Sequence, residues 1–430
     1  MEYRSRGRRV YWFSSGPGVF QLSRRMDFDM GPAMIGVMEQ TYSRHDHAPV
    51  NAVLIHATSL ALPAEDILFA STGEHRGHVR AVRSLPHRVQ CVDIAVPPPG
   101  GIRFSRFVAQ WRAMRLLMRQ GRPRAVILLS SGPETFFAAR AMVAMFRSVV
   151  FFIVLHGNLN DAIGWRSRDP RRRLFDYRSG LAAARHPRIR FVVLEDYILA
   201  AAVRERALRP ETTSVWPNAI NEGEFPTDPP PAWSGRERIR IAFAGTASRN
   251  KGFHRFLDLA RAADPGVYEF ELVGSLMEPF PGADQLIDIP SQPLQRDAFI
   301  QRLRAADYVV LPYNETTYEF TSSGSLVDCI GQMKPVIALG MPGILDVSKR
   351  FGEIGFVCSS MQEMHALLLR KDRLSDLASY TGFQRNLAAA AASRTAAGIA
   401  QLIRRDLATA GVPAYGHPVV TIGGQHAGGY

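Results

Sequence analysis

The sequence predicts an α/β chain folded as two lobes, each a parallel sheet with helices on both faces. Short apolar runs alternate with helical periodicity through both halves. Most of these runs stop at glycine, proline or a polar loop, and the proline-rich stretch Thr227-Asp-Pro-Pro-Pro-Ala232 interrupts the pattern midway. Apolar runs of strand length bounded by turn residues are the signature of strands buried on both faces, and their alternation with helices feeds a parallel sheet. With 430 residues the chain has material for two cores. The expected division is a first domain over 1–226, a semi-rigid linker over 227–235, a second domain over 236–385, a C-terminal helix over 386–410 and a disordered Gly-rich tail over 411–430.

Composition narrows the function classes. A hydrophobic content of 46% with 21% charged residues is ordinary for a globular protein. Cys91, Cys329 and Cys358 lie far apart without metal-ligand spacing, which argues for core thiols over a disulfide framework or zinc site. The most apolar stretch, Val149 to Leu155, is strand-sized, and the basic N-terminus MEYRSRGRRV lacks the apolar core of a secretory signal, so a cytoplasmic location is expected. The formal charge of +13 favours acidic partners: nucleotide phosphates, nucleic acid or an anionic membrane surface. Nucleic acid is disfavoured because the basic runs Arg103–Arg124 and Arg166–Arg190 carry no recognisable binding module. A dinucleotide-linked oxidoreductase is disfavoured because no G-x-G-x-x-G follows a strand.

In the first half, Arg8 to Ser14 reads as a first strand followed by Ser15-Gly16-Pro17-Gly18. There Gly16 and Gly18 would let backbone approach a ligand, or simply end the strand. Gln21 to Pro49 reads as loop with a short helix around Met34 to Gln40. Strands are expected at Ile67–Ser71, Val89–Ala95, Ala125–Ser130, Val149–Leu155, Phe191–Leu194 and Thr213–Trp216, with helices from Asn51, Phe104 and Thr135. Ligands of such sheets sit at the C-terminal strand edge. The run VVFFIVL delivers His156 to that edge, either as a hydrogen-bonded strand-end histidine or as a site residue. Helix Phe104–Arg119 presents Phe104, Phe107, Val108, Trp111, Met114 and Met118 on one face with Arg115 among them. This reads as a core face, with docking on anionic lipid as the alternative.

In the second half, Ile239, Ile241 and Phe243 alternate in a strand ending at Gly245, and Ala244 to Gly252 (AGTASRNKG) leads into a helix marked by Phe253, Phe256 and Leu257. Lys251 at that helix start is electrostatically misplaced unless an anion stands beside it. Phe270–Gly274 is another strand stopping at glycine; Leu286–Ile289 is a short apolar run and Arg296–Ala305 a helix. Then come strand Tyr308–Leu311, a polar loop, a helix fed by Ser322-Ser323-Gly324-Ser325, and strand Pro335–Leu339. A small-residue loop running into a helix N-terminus suits phosphate. Asp328 stands three residues after Ser325, a capping-box spacing that competes with a ligand role. A short strand (Ile354–Val357), a helix (Met361–Arg370) and one Ala-rich helix (Asn386–Ala408) close the chain.

The segment LVDCIGQMKPVIAL (Leu326–Leu339) resembles the L-E-A-M-A-x-G-x-P-V-I-A segment of the retaining glycosyltransferases of family four. Trp216–Phe225 is similar to that family's P-N-G-V-D-x-x-x-F segment with Ala219 in place of the glycine. Gly245…Lys251-Gly252 is similar to its G-R-x-x-x-x-K-G loop, with Thr246 in place of the arginine and Arg249 nearby. Of the family's two loop acids, the second matches Asp328, while the first falls on Phe320 with Glu319 as the nearest carboxylate. The resemblance implies the GT-B fold of two Rossmann-like domains facing across a cleft. It implies a nucleotide-sugar donor, a glycan or lipid-linked acceptor, retention of configuration, and polysaccharide or glycolipid synthesis without cofactor or metal. His156 and Glu319 would lie near the sugar, and Gly245, Arg249, Lys251, Gly274, Ser322, Ser323, Gly324 and Ser325 on the donor side. Lys251 and Arg249 would meet the diphosphate and Asp328 the ribose. The alternative is a catalytically silent GT-B subunit acting as a binding partner, suggested by Glu319 and Thr246.

Overall fold

The computed structural model describes residues 34–43, 47–96, 103–157, 159–163, 176–226, 237–313 and 318–412. All of them belong to one unit, Ala33–Tyr430. The expected first strand Arg8–Ser14, Gly16, Gly18, the linker and the tail from 413 lie outside the described residues.

The first lobe is a seven-stranded sheet of β1 (Met34–Met38), β2 (Asp66–Ser71), β3 (Val89–Asp93), β4 (Ala125–Leu128), β5 (Val150–Val154), β6 (Ile189–Val193) and β7 (Thr213–Val215). The strand order is β3-β2-β1-β4-β5-β6-β7, with every pairing parallel. Its helices are α1 (Ala48–Ala61), α2 (Gly73–Val82), α3 (Arg103–Gly121), α4 (Pro133–Met145), α5 (Leu159–Ile163), α6 (Tyr177–Ala183) and α7 (Asp196–Arg204). The short helix expected at Met34–Gln40 is instead the central strand β1, paired with β2 on one side and β4 on the other. Five apolar residues in a row fit either element. Burial on both faces of a parallel sheet decides for the strand. Ile35 and Val37 point into one core and Met38 into the other, and Phe152 and Phe151 of β5 divide in the same way.

The second lobe is a five-stranded sheet of β8 (Ile239–Ala247), β9 (Tyr268–Leu276), β10 (Tyr308–Leu311), β11 (Val336–Leu339) and β12 (Gly355–Cys358). It is parallel throughout, in the order β12-β11-β10-β8-β9. The run Leu286–Ile289 forms no strand and contributes one isolated bridge, Asp288 to Glu271. The helices are α8 (Phe253–Ala262), α9 (Arg296–Ala305), α10 (Gly324–Gly331), α11 (Pro342–Phe351), α12 (Met361–Leu368), α13 (Lys371–Leu374), α14 (Leu377–Ala392) and α15 (Ala396–Thr409).

The single Ala-rich helix expected at Asn386–Ala408 is two helices, because its halves bury their faces in different lobes. Leu387, Ala390 and Ala391 of α14 join a core of the second lobe, whereas Ile399, Ala400, Ile403 and Leu407 of α15 join a core of the first. Between them the buried Arg394 turns to grip Glu195 with two bonds of 2.6 and 3.0 Å, and Thr395 caps α15 through Gly398 N. Trp216 Nε1 donates to Asp406 at 2.8 Å, which fastens α15 to the end of β7.

Candidate functional site between the lobes

The carboxyl edge of the second sheet gathers the donor-side residues. β8 and β9 pair with Gly245 opposite Gly274, and a Cβ on Gly274 would stand 1.9 Å from the Gly245 carbonyl oxygen. Gly274 therefore serves the close approach of the strands. Gly245 (φ +94°) is flanked by Ser325 and Lys251: a Cβ there would meet Ser325 Oγ at 2.8 Å and Lys251 Nζ at 3.8 Å. The glycine thus leaves open the space into which an ammonium and the first turn of α10 both project. Gly252 follows at φ +73° with its Cα against the Pro312 carbonyl, and this lets the loop fold so that Lys251 turns inward.

Lys251 is half-buried, and no carboxylate of the described residues lies within salt-bridge distance. Burial lowers the pKa of its ammonium, with Asp328 pulling weakly the other way. The first N–H groups of α10 have no intrahelical acceptor and carry the positive end of the helix dipole. A desolvated cation beside a positive helix end is a repulsive pairing that an anion relieves.

The serine run is more committed than its sequence suggests. Ser323 is the N-cap, accepting from Leu326 N at 3.3 Å; Ser325 Oγ donates to Ala244 O at 2.8 Å; Ser322 Oγ donates to Glu195 at 3.3 Å and accepts from Asn218 at 3.1 Å. The capping box expected at Ser325…Asp328 does not form, because the helix starts earlier and Ser323 occupies the cap. Gly324 is exposed with open space around it.

Asp328 is taken up by Arg296, which reaches it at 2.8 Å and Glu224 at 2.5 Å. Burial pushes the Asp328 pKa up while Arg296 holds it down. This trio borders a cavity of about 170 Å³ also lined by Asn218, Asn221 and Gly324. Sequence reasoning missed Arg296 and Glu224, although an arginine opening a helix against its dipole was a signal. Arg249 is exposed, its guanidinium lying over the Phe280 ring at 5.8 Å and its N–H donating to Glu278. Glu319 pairs with Arg204 of the first lobe.

At the carboxyl edge of the first sheet, His156 Nε2 donates to the Leu129 carbonyl at 2.8 Å, since a carbonyl only accepts. Nδ1 thereby keeps its lone pair. Burial, together with the neighbouring His47 ring at 4.4 Å, holds the His156 pKa down at about 3, so the imidazole is neutral at pH 7. Beside it, Glu39 is fully buried and accepts from Thr41 N at 2.8 Å, Tyr42 N at 3.0 Å, Asn51 Nδ2 at 3.0 Å and Ser130 Oγ at 2.5 Å. Glu39 was not singled out from the sequence; a carboxylate directly after an apolar run was the available signal.

No protein-family model matches the chain, and no curated protein matches it. Solved structures do. Sucrose-phosphate synthase from Thermosynechococcus elongatus superposes with a TM-score of 0.61 at 14% identity, covering 87% of this chain and 99% of that one. A glycosyltransferase from Rickettsia africae gives 0.61 at 10% identity, covering 88% and 98%. HepE of Anabaena, solved in complex with UDP-glucose, gives 0.59 at 15% identity, covering 87% and 99%. At such identities the likeness establishes the fold: two parallel-sheet α/β domains in the GT-B arrangement.

Proposed function

We propose that the chain is a glycosyltransferase that takes a sugar from a nucleotide-sugar donor and delivers it, with retention, to a glycan or lipid-linked acceptor. The observation that carries this is Lys251: a desolvated ammonium without a salt-bridge partner among the described residues, beside Gly245 and the N-terminal turn of α10. In this reading the departing diphosphate lies against Lys251 and the first amides of α10, where charge builds as the anomeric bond breaks. Positive charge comes from the lysine and main chain, and no metal or cofactor is invoked. Neutral His156 offers its Nδ1 lone pair to a sugar hydroxyl from the facing lobe. Asp328, oriented by Arg296, meets the ribose, and Arg249 lies at the rim of the diphosphate subsite. The GT-B neighbours, among them HepE with UDP-glucose, support a donor of this class.

For the acceptor, an anionic membrane surface fits α3, whose outward stripe exposes Phe104 (62%) and Leu116 (37%) alongside Arg112 and Arg119. Among the described residues no helix is long and apolar enough to cross a membrane.

A screen of nucleotide sugars by thermal shift tests the proposal. A donor at a hundred times its dissociation constant adds about 2.7 kcal/mol of stability. No shift across uridine, guanosine, adenosine and thymidine diphosphate sugars counts against it. A silent GT-B subunit is the second reading, favoured by Glu319 being tied to Arg204 and by Phe320 at the position of the family's first acid. Turnover no faster than that of His156→Ala, in a protein that binds donor, supports that second reading.

A further inference from the structure

The segment between β10 and α10 has a foot in each lobe. Tyr318 stacks on Tyr313, with ring centroids 4.6 Å apart, and belongs to a core of the second lobe. Two residues on, Phe320 is buried in a core of the first. The intervening and following residues grip the first lobe as well. Glu319 pairs with Arg204 at the end of α7. Thr321 Oγ1 donates to the Gly157 carbonyl at 3.2 Å, and the Thr321 carbonyl accepts from Tyr197 OH at 2.8 Å. Ser322 Oγ reaches Glu195, which is itself held by Arg394. Every residue from Glu319 to Ser322 therefore engages the first lobe, and the next residue, Ser323, caps α10.

We infer that Tyr318–Ser322 is an interlobe clasp that fixes the N-terminal turn of α10, and that Tyr197, on the opposite lobe, is a positioning residue for the donor. Amides that receive a diphosphate bind it best when already held in place, because ordering them on binding subtracts from affinity. The clasp supplies that ordering from the first lobe, and through Gly157 it joins the phosphate end of α10 to the loop that carries His156. The functional half of this inference rests on the donor reading above; the mechanical half does not.

The test compares wild type with Tyr197→Phe, which deletes one hydroxyl, and with Phe320→Ala, which removes the foot. Hydrogen exchange is read in the ligand-free full chain at the Leu326 and Val327 amides, which bond to Ser323. Exchange there is expected to quicken about fivefold in Tyr197→Phe, the worth of one hydrogen bond, and further in Phe320→Ala. Amides of β10 and β11 should hold their wild-type rates. Donor dissociation constants, measured by calorimetry with the nucleotide sugar that gives the largest thermal shift, should rise by a similar factor. Unchanged exchange at α10 in both variants overturns the clasp. Tighter donor binding as exchange quickens also overturns it, because the segment would then be a plug in the crevice. If wild type binds no nucleotide sugar, the donor reading fails while the exchange rates still decide the clasp.

Discussion

At the carboxyl edge of the first sheet the loops are tied down by side-chain hydrogen bonds: Glu39 accepts four, Gln40 reaches Ser130 and Thr135, and the Nε2 of His156 is spent on Leu129. At the corresponding edge of the second sheet Gly245 and Gly324 leave space around the first turn of α10, and the half-buried Lys251 has no salt-bridge partner among the described residues. Glu39, with four donors on its carboxylate, stiffens the loops it joins, whereas a cation held against a helix N-terminus stays electrostatically incomplete until an anion arrives. The first edge, the Nδ1 of His156 apart, thus reads as scaffold and the second as binding surface. Substitutions at the first should cost stability, and those at the second should cost affinity.

The largest stability loss is expected at the buried ion pair that fastens Arg394, between α14 and α15, to Glu195 of the first lobe. Arg394→Met leaves Glu195 buried and unpaired, and should lower unfolding free energy by roughly 3–5 kcal/mol in denaturant titration. Glu39→Ala strands the Thr41 and Tyr42 amides and should cost on the order of 2–3 kcal/mol by the same measurement. A cost under 1 kcal/mol for either would erase the contrast between the edges.

His156 sharpens the comparison through pH. Its pKa falls from 6.5 in the unfolded chain to about 3 in the fold, so between those values only the unfolded chain takes up the proton. Its contribution to stability is complete above about pH 6.5 and is lost as the pH falls toward 3. Replacing it by glutamine should flatten the pH dependence of unfolding in that window by up to about one proton. The smallest effect is expected for Arg249→Ala, because its exposed guanidinium is shared with Phe280: donor affinity should fall by about 0.2–1 kcal/mol in calorimetry, the worth of an exposed ion pair, with a stability cost no larger than about 1 kcal/mol.

Much of the second lobe was legible because its elements announce themselves locally. Helix Arg296–Ala305 and strand Tyr308–Leu311 fall where periodicity and the Pro312 stop put them, and the misplaced charge of Lys251 follows from its position before a helix. What escaped depends on partners distant in the chain. The central strand Met34–Met38 has no alternation to distinguish it from a helical turn, and only its two neighbouring strands define it. The break between α14 and α15 falls at Ser393-Arg394-Thr395, where Thr395 caps the second helix amid an Ala-rich run, and the distant Glu195 holds Arg394 there. Arg296 beside Asp328 and Arg204 beside Glu319 are pairings across elements, invisible in a linear reading.

The most direct test of the contrast is the dissociation constant of the best-stabilising nucleotide sugar, measured by calorimetry for wild type and Lys251→Ala alongside each protein's unfolding midpoint. If the ammonium meets the diphosphate, the variant binds at least about a hundredfold more weakly. Its midpoint is then unchanged or higher, because a desolvated charge has been removed. Equal affinities for the two proteins would contradict the account.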